Sequence, residues 1–472
     1  MASEIKTFTP HSYQQGAIDF LENVKKSAMW LPMGAGKTSC TLSHINYLKN
    51  KFKGSTVLIV APLSVVELTW AQECAKWEQF KDTTIATLHG TNKEKVYLES
   101  RPDIFLINYE GLAWLEKCII KHKLLKFNAI IFDESSKLKS WSTTRFKICK
   151  GLCKLVKRVV LLSATPSPNN YLDLWSQYYL LDKGERLGKT ISAFKARFFY
   201  EVGYNFKEYK IRPECKELIP KLVADITYRI DEAELPSIPE LSLNKINVKL
   251  TKKLKKKYES LEKDMFYELD SSKDEGIEAF NAASLTGKCR QFVQGFLYHD
   301  LVDDLPREVE KIHTLKLDVL KDFVEGMNGE PLLIAYTFRY EYEMLKSALG
   351  EDVPHLGSGT PSAKMKEYEK LWNSKELPIM LCNPASVSHG LNLQKGGHNI
   401  LWYSLTYSWE QYTQLIGRLH RQGQRNEVRN HILLMEDTID VAVFNKLQAK
   451  EQGQRAFLDA IYQYQKTKES GN

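Results

Sequence analysis

The sequence predicts an α/β fold with two doubly wound parallel sheets, one after the other along the chain. Apolar strand-like runs alternate with helical stretches from Ser27 to Leu180, and the alternation returns from Leu332 to Leu434. Between these regions, residues 181–330 show weak strand character, several helical stretches and the punctuated segment Leu235-Pro236-Ser237-Ile238-Pro239. We therefore expect two α/β lobes joined by that proline-containing linker.

A glycine-rich loop separates the first predicted strand from the first long helix. The run Ala28-Met29-Trp30-Leu31 predicts the strand, and residues 39–49 predict the helix. Between them, Met33-Gly34-Ala35-Gly36-Lys37-Thr38 has the composition of a phosphate-binding loop. Its glycines let backbone N–H groups point inward, its lysine offers a charge to phosphates, and its threonine offers a hydroxyl to a metal. Taken alone, the loop could also be an ordinary turn before a helix.

Two acidic residues directly follow another strongly apolar run. Residues 127–132 predict a parallel strand covered on both faces, and Asp133-Glu134 stand at its carboxyl end. We expect Asp133 to hold Mg²⁺, and Glu134 to orient and deprotonate an attacking water. A helix N-cap followed by a solvated acid is the simpler alternative. The phosphate loop in the same lobe favours the catalytic interpretation.

The strongest run of positive charge lies between the two lobes. It is Lys249-Leu250-Thr251-Lys252-Lys253-Leu254-Lys255-Lys256-Lys257, and it leads into Tyr258 and Leu261. Leu250, Leu254, Tyr258 and Leu261 recur at helical spacing, which predicts a helix with lysines on its other sides. Two interpretations stay open: a solvated helix face, or a contact with the DNA backbone.

A stretch late in the second lobe combines two arginines with an apolar stripe. Gln414, Arg418 and Arg421 fall at i, i+4 and i+7, which predicts that they share one face of a helix. The apolar stripe opposite them consists of Tyr412, Leu415, Ile416 and Leu419. Arginines at this spacing are commonly a solvated face. Because the phosphate site otherwise lacks a transition-state cation, we expect them to promote hydrolysis, where an arginine finger is worth roughly 1,000- to 100,000-fold in rate.

Composition places the chain among globular proteins of ordinary character. It has 472 residues, of which 43% are hydrophobic and 26% charged, and its net charge is +8 from 66 basic and 58 acidic residues. This mild excess implies that any nucleic-acid surface is a local groove. No secretory signal or membrane-spanning run is expected. The eight scattered cysteines lack zinc-site spacing, so reduced thiols and a cytoplasmic location are expected.

The motifs in their order resemble those of the Swi/Snf-type ATPases of helicase superfamily two, along nearly the whole chain. Asp133-Glu134-Ser135-Ser136 stands where D-E-A-H is usual, so the family's histidine is absent. The other resembling segments are His11-Ser12-Tyr13-Gln14, Leu58 to Ser64 with Trp70, Glu73 and Trp77, Ile107 to Glu110, Leu161 to Pro166, Leu332 to Thr337, His389 to Leu393, and Gln414 to Gln424, which reproduces Q-x-x-x-R-x-H-R-x-G-Q.

This resemblance implies two tandem RecA-like lobes, residues 1–235 and 236–472, with short helical protrusions near 183–230 and 250–305. It also implies ATP and Mg²⁺ as cofactors. The implied ATP-binding residues are Tyr13, Gln14, Met33, Gly34, Ala35, Gly36, Lys37, Thr38 and Gly390, with Thr38 and Asp133 for the metal. The implied catalytic residues are Lys37, Glu134, Arg418 and Arg421. The implied DNA contacts are Ser64, Asn108, Tyr109, Thr337 and Ser386, and the implied coupling residues are Ser163, Thr165 and Gln414.

The activity implied by the resemblance is ATP-dependent translocation on double-stranded or branched DNA, by a monomer and with branch migration as one outcome. The chain is most similar to compact phage and prophage members. No base-reading module is apparent, which predicts weak sequence preference, and no clear wedge for strand opening is seen between the motifs. A conventional strand-separating helicase is one alternative. A nucleotide-dependent DNA clamp without hydrolysis is another, although Glu134 and both arginines are present.

Overall fold

The computed structural model describes residues 6–202, 208–271, 286–299, 308–387 and 391–470. The chain forms two compact units. Unit 1 contains residues 1–237 together with 450–472, and unit 2 contains residues 238–449. The boundary at Ser237 lies inside the proline-containing linker, and residues 450–472, which the prediction of a lobe at 236–472 included, group with unit 1.

The secondary structure of unit 1 alternates strands and helices along most of its length. Its strands are β1 (Lys26–Met29), β2 (Val57–Ala61), β3 (Ile85–Thr87), β4 (Ile104–Asn108), β5 (Ala129–Asp133), β6 (Arg158–Leu162), β7 (Phe199–Val202), β8 (Glu208–Ile211) and β9 (Thr227–Tyr228). Its helices are α1 (Ser12–Asn23), α2 (Lys37–Lys51), α3 (Leu63–Leu68), α4 (Trp70–Lys76), α5 (Lys93–Glu99), α6 (Leu112–His122), α7 (Thr144–Leu155), α8 (Asp173–Asp182), α9 (Ile191–Phe198) and α10 (Cys215–Val223).

Unit 2 repeats this alternation after its first strand. Its strands are β10 (Leu241–Val248), β11 (Phe296–Tyr298), β12 (Val309–Lys311), β13 (Leu332–Ala335), β14 (His355–Leu356), β15 (Ile379–Cys382), β16 (Asn399–Trp402) and β17 (Val428–Met435). Its helices are α11 (Lys252–Ser271), α12 (286–293), α13 (Leu315–Gly326), α14 (Arg339–Leu349), α15 (Ser362–Asn373), α16 (Pro384–Val387) and α17 (Trp409–Ile416). Helix α18 (Ile439–Ser470) begins in unit 2 and ends in unit 1.

The main sheet of unit 1 has seven strands in the order β3-β4-β2-β5-β6-β1-β9. All of its strand pairs are parallel. Every residue of β2, β4 and β5 is buried, as expected for strands covered by helices on both faces. The strands therefore end at one common border, which we call the carboxyl edge of the sheet, and ligands bind at such edges in open α/β sheets.

The protrusion predicted near residues 183–230 contains two strands as well as helices. Strands β7 and β8 form an antiparallel hairpin outside the main sheet. Phe199 on the hairpin and Phe194 and Phe198 on α9 pack into the hydrophobic core of unit 1, while Tyr200 is exposed. The prediction near residues 183–230 was of a helical protrusion, and this antiparallel pair of strands is an addition to it.

The main sheet of unit 2 has six strands in the order β10-β17-β16-β13-β15-β14, and all of its strand pairs are parallel. Strand β10 directly follows the linker and pairs with β17 along eight residues. Together with unit 1, this arrangement confirms the predicted fold class of two doubly wound parallel sheets. Unit 2 also has a carboxyl edge, where β13, β15 and β16 end side by side.

The lysine-rich segment enters helix α11 at Lys252, and the predicted apolar residues pack together. Tyr258 is buried, and Leu250, Leu254 and Leu261 pack around it in a small hydrophobic cluster. Two of the lysines pair with acids, Lys249 with Glu436 at 3.6 Å and Lys255 with Asp437 at 2.8 Å. The remaining exposed lysines of the run are Lys252, Lys253, Lys256 and Lys257.

The C-terminal part of α18 belongs to unit 1 because its apolar residues are buried there. Phe457, Leu458 and Ile461 lie in the same hydrophobic core as strands of the unit 1 sheet. Gln454 Nε2 also donates to the carbonyl of Ala164, at 3.4 Å. An apolar stripe in the sequence predicts burial, but it does not identify the surface that buries it.

All eight cysteines of the chain are buried and free. Cys149 and Cys153 lie one turn apart on α7, within the core of unit 1. Among the described residues, neither joins a cluster of potential metal ligands. None of the described helices is both long and apolar enough to cross a membrane.

Candidate functional site

The predicted phosphate loop connects β1 to α2 at the carboxyl edge of unit 1. Gly34 and Gly36 have φ angles of 77° and 82°, in the left-handed region that side chains disfavour. A Cβ atom on Gly36 would lie 2.3 Å from Nε2 of Gln14. The backbone conformation therefore favours glycine at position 36, and a side chain there would displace the Gln14 amide from the loop.

Lys37 is the first residue of α2, and its ammonium group lies over the loop. Its Nζ donates to the carbonyl oxygens of Leu31 at 2.9 Å and Pro32 at 3.1 Å. Thr38 follows in the first turn, where the helix N-terminus favours bound anions. The loop thus presents a positive charge, a hydroxyl group and a helix terminus together.

Gln14 positions the phosphate loop from helix α1. Its Nε2 donates to the carbonyl of Ala35 at 3.2 Å, and its Oε1 accepts from the backbone N–H of His11 at 2.9 Å. Tyr13 is buried, and its ring stacks on His11. The resemblance implies that Tyr13 and Gln14 contact ATP. The structure shows that Gln14 also holds the loop in place.

Asp133 lies at the same level of the sheet as the start of the phosphate loop. The strand register pairs Asp133 with Leu162 on β6, and Leu162 with Met29 at the end of β1. Trp70 Nε1 donates to Asp133 Oδ2 at 3.2 Å. Burial raises the pKa of the Asp133 carboxyl, and the nearby positive charge of Lys37 partly opposes this shift. The sheet therefore brings the predicted phosphate and metal residues together.

Glu134 has a left-handed backbone, with φ 54° and ψ 55°, which is uncommon for a residue other than glycine. Its backbone N–H donates to Asp133 Oδ1 at 3.1 Å. The Tyr109 hydroxyl donates to the carbonyl of Asp133 at 2.8 Å and to that of Glu134 at 3.3 Å. Tyr109 was expected to contact DNA, but it is buried and stabilises the backbone of this acid pair.

The donor atoms at this edge suit Mg²⁺, a hard cation that prefers oxygen ligands. The Thr38 hydroxyl and the Asp133 carboxylate both supply oxygen. Because burial makes the Asp133 anion unfavourable, a bound cation would offset that cost. These two residues are therefore the ones that would hold the ion.

A buried hydrogen-bond link connects the acid pair to the predicted coupling segment. Ser135 Oγ donates to Gln177 Oε1 at 2.9 Å, and Gln177 Nε2 donates to the carbonyl of Pro166 at 2.6 Å. Both side chains are fully buried. Sequence reasoning missed Gln177, although a glutamine amid the apolar residues of α8 is a signal of buried hydrogen bonding.

The coupling segment itself is tightly constrained. Ser163 is fully buried, and its Oγ accepts from the backbone N–H of Thr165 at 2.9 Å. The next carbonyl, that of Ala164, accepts from Gln454 on α18. This segment thus contacts both the acid pair, through Gln177, and the C-terminal helix.

The residues predicted to contact DNA lie near the carboxyl edges of their own sheets. Asn108 ends β4 in unit 1, while Thr337 and Ser386 follow β13 and β15 in unit 2. Asn383 Nδ2 donates to the carbonyl of Thr337 at 3.4 Å, joining the two loops. Ser64 lies in α3, and its side chain is outside the described part of the structure.

The two predicted arginines do not lie on a helix, so that prediction was wrong. Helix α17 ends at Ile416, and Gly417, a poor helix former, follows it. The N–H groups of Arg418 and Leu419 then bond to carbonyls three residues back, as in a tight turn. We call residues 417–424 the arginine turn.

The arginine turn nevertheless directs both side chains toward one segment of unit 2. Arg418 Nη1 donates to the carbonyl of Leu391 at 3.0 Å, and Arg421 Nη1 donates to Asn392 Oδ1 at 2.5 Å. Glu369 accepts from the backbone N–H of Asn392 at 2.7 Å. Burial raises the pKa of Glu369, and the charges of both arginines oppose that shift. The guanidinium groups therefore lie close to the same carboxylate.

The apolar stripe and the glutamines of this motif anchor the turn. Tyr412, Leu415, Ile416 and Leu419 are buried in the core of unit 2, as predicted. Gln414, the predicted coupling residue, is 1% exposed. Gln424 Nε2 donates to the carbonyls of Gln394, Gly397 and Leu419, which closes the loop around it. Gly390, a predicted ATP contact, lies outside the described residues.

Comparison with known families gives two matches that together span most of the chain. Residues 28–294 match the SNF2-related domain, and residues 315–423 match the helicase conserved C-terminal domain. The first match alone covers more than half of the chain. The family resemblance inferred from the motifs is confirmed.

Similar proteins include both compact and longer chains. Protein p41 of Acyrthosiphon pisum secondary endosymbiont phage 1 is 33% identical over 97% of this chain and 99% of its own. YwqA of Bacillus subtilis, provisionally named an ATP-dependent helicase/translocase, is 24% identical over 94% of this chain and 48% of its own. This chain thus spans about half the length of YwqA. The solved Sulfolobus solfataricus SWI2/SNF2 ATPase core in complex with dsDNA is 21% identical, over 98% of this chain and 95% of that one, with a TM-score of 0.45.

The phosphate loop and the acid pair lie within the first matched region, and the arginine turn lies within the second except for its last residue, Gln424. The chain belongs to the SNF2-related family of helicase-like, DNA-dependent ATPases.

Proposed function

We propose that the protein uses ATP hydrolysis to translocate along double-stranded or branched DNA. The observation that supports this best is the buried link from Ser135 through Gln177 to Pro166. It joins the acid pair that would act on ATP to the segment that couples hydrolysis to DNA grip in this family. The usual histidine of the D-E-A-H motif is absent, and Gln177 supplies a connection in its place.

In the proposed hydrolysis, Lys37 binds the outer phosphates, whose oxygens compete with the loop carbonyls for its ammonium group. Glu134 orients the attacking water and accepts its proton. Thr38 and Asp133 would hold Mg²⁺, which when bound would supply positive charge against the phosphate oxygens. Arg418 or Arg421 stabilises the charge that develops in the transition state.

On the DNA side, the proposed contacts are to phosphates rather than to bases. Thr337 and Ser386 offer hydroxyl groups at the carboxyl edge of unit 2, and Asn108 offers an amide at that of unit 1. Such contacts position a protein on the duplex without reading its sequence. The net charge of only +8 fits a local contact surface. Duplexes of different sequence should therefore stimulate ATP turnover about equally.

Translocation can be separated from strand separation with three substrates. A motor that tracks an intact duplex should displace a triplex-forming third strand, and it should move a four-way junction, where pairs broken on one side are remade on the other. It should unwind a plain tailed duplex poorly. Efficient unwinding of a long tailed duplex, without triplex displacement or branch migration, would contradict the proposal.

A conventional helicase is the second candidate, and the β7–β8 hairpin favours it. An antiparallel pair of strands outside the main sheet with an exposed aromatic residue, Tyr200, is the kind of element that could separate strands at a fork. Tyr200→Ala distinguishes the candidates. Efficient wild-type unwinding of a tailed duplex that is lost in this variant would support a helicase, whereas poor wild-type unwinding with triplex displacement unchanged in the variant supports the translocase.

A DNA clamp that binds ATP without hydrolysing it is tested by phosphate release. Wild-type protein should release phosphate from ATP, and faster when DNA is added. Glu134→Gln should still bind ATP but fail to hydrolyse it, because the proton acceptor is lost. Hydrolysis retained in this variant would place the base elsewhere.

A further inference from the structure

A rigid polar platform lies at the carboxyl edge of unit 2, built on the buried carboxylate of Glu341. This side chain is fully buried, and its Oε2 accepts from the backbone N–H of Thr337 at 2.7 Å and of Phe338 at 2.9 Å. Ser404 Oγ also donates to it at 2.7 Å and lies 2.8 Å from Thr337 Oγ1. Glu341 Oε2 thus accepts three hydrogen bonds, one of them from the backbone of Thr337. Together with the Ser404 contact, these bonds fix the position of Thr337.

Arg290 on α12 lies against this platform. Its Nη2 donates to Thr337 Oγ1 at 3.3 Å and to the carbonyl of Leu405 at 2.5 Å. The guanidinium also stacks on two rings, 5.0 Å from the centroid of Phe338 and 4.6 Å from that of Tyr407. These contacts restrict the side chain to one plane, so little rotamer entropy remains to be lost on binding a ligand.

The charge of Arg290 is not neutralised within the described part of the chain. Neither the ion pairs nor the hydrogen bonds of the described residues join a carboxylate to it. Both of its hydrogen bonds use Nη2, and the side chain is only partly buried. Nη1 and Nε therefore keep N–H donors for another acceptor. A planar pair of charged donors matches the oxygens of a phosphate group.

We infer that Arg290, held against the Thr337 hydroxyl, forms a phosphate-binding position for the DNA backbone on unit 2. This inference rests on the proposed action on DNA and adds a residue that the sequence motifs did not indicate. The guanidinium supplies charge and two donors, while Glu341 and Ser404 act as positioning residues by fixing Thr337. The contact involves no base edge, so it contributes affinity and register without sequence preference.

The test measures the binding of a blunt DNA duplex of mixed sequence as a function of salt concentration. Arg290→Met should weaken binding roughly tenfold at low salt, since a charged hydrogen-bond donor is lost. It should also reduce the slope of log Kd against log salt by about 0.9, the value for one phosphate contact. Arg290→Lys keeps the charge and should restore the wild-type slope. Lys364→Met, which removes an exposed lysine paired with Glu367, is the matched control and should change neither quantity.

Each other result overturns the inference in a recognisable way. A wild-type slope in Arg290→Met, with a lowered thermal midpoint that Arg290→Lys does not restore, would make Arg290 a purely structural support for Leu405. Wild-type affinity and slope in both variants would remove Arg290 from the interface while leaving the proposed function intact. If the wild-type protein neither bound the duplex nor responded to it in ATP turnover, the proposed function and this inference would fail together.

Discussion

The phosphate loop of unit 1 and the arginine turn of unit 2 both present cations, but they hold them in different ways. Lys37 is held by carbonyls only five and six residues away in the chain. Arg418 and Arg421 are held by groups 27 and 29 residues away. A cation held by its own loop can be recognised from a short motif. A cation held by a distant segment depends on how the whole unit folds.

The largest effect is expected where the cation is held locally. Lys37→Ala should reduce ATP turnover below detection, because the loop loses its only side-chain charge toward the phosphates. Phosphate release in the presence of DNA measures this. Lys49→Ala, on the same helix but in a surface ion pair with Asp103, is the control and should behave like wild type. Near-normal turnover in Lys37→Ala would refute the assignment of the phosphate loop.

The next largest effect concerns the arginine turn. Arg421→Ala should lower turnover roughly 1,000-fold while ATP binding changes only several-fold, because a finger acts mainly on the transition state. Single-turnover hydrolysis and equilibrium nucleotide binding measure the two quantities separately. Arg425→Ala removes an exposed arginine four residues further along and serves as the control. Parallel loss of binding and turnover would make Arg421 a structural residue.

An intermediate effect is expected for the link inside unit 1. Gln177→Met should lower the ratio of DNA-stimulated to basal ATP turnover by roughly 2- to 30-fold, the range for residues that couple two sites. Ser135→Ala should also lower this ratio, because it removes the other partner of the Ser135–Gln177 hydrogen bond. Trp175→Phe removes a different hydrogen bond of α8, to Gly188, and controls for general destabilisation. An unchanged ratio in both test variants would show that coupling takes another route.

The smallest effect is expected for Asn392, which would orient Arg421 from a distant part of the chain. Asn392→Ala removes the acceptor of Arg421 Nη1 and should lower turnover by less than about fivefold, as is usual for exposed pairs. The double variant with Arg421→Ala should be no slower than Arg421→Ala alone, because Asn392 would act through Arg421. Additive losses would give Asn392 a separate role.

Much of the fold could be predicted because its signals are local. The buried strands β2, β4 and β5 are continuous apolar runs, and the phosphate loop and acid pair stand at strand ends. By contrast, β9 and β10 are edge strands whose pairing with β1 and β17 has no counterpart in their own sequence. The hairpin β7–β8 was likewise missed, since its short strands resemble loop sequence as much as strand sequence.

The sequence by itself determined the chemistry at unit 1, because glycines at 34 and 36, the charge of Lys37 and the acids at 133 and 134 act through neighbouring backbone. Only the tertiary structure decided that the arginines leave their helix at Gly417 and turn toward Leu391 and Asn392. It also decided that Gln177 joins Ser135 to Pro166, and that α18 packs into unit 1. The physical reason is the sequence distance over which each interaction acts. Backbone conformation depends on a few neighbouring residues, whereas buried hydrogen bonds and apolar contacts form only when segments distant in the sequence pack together.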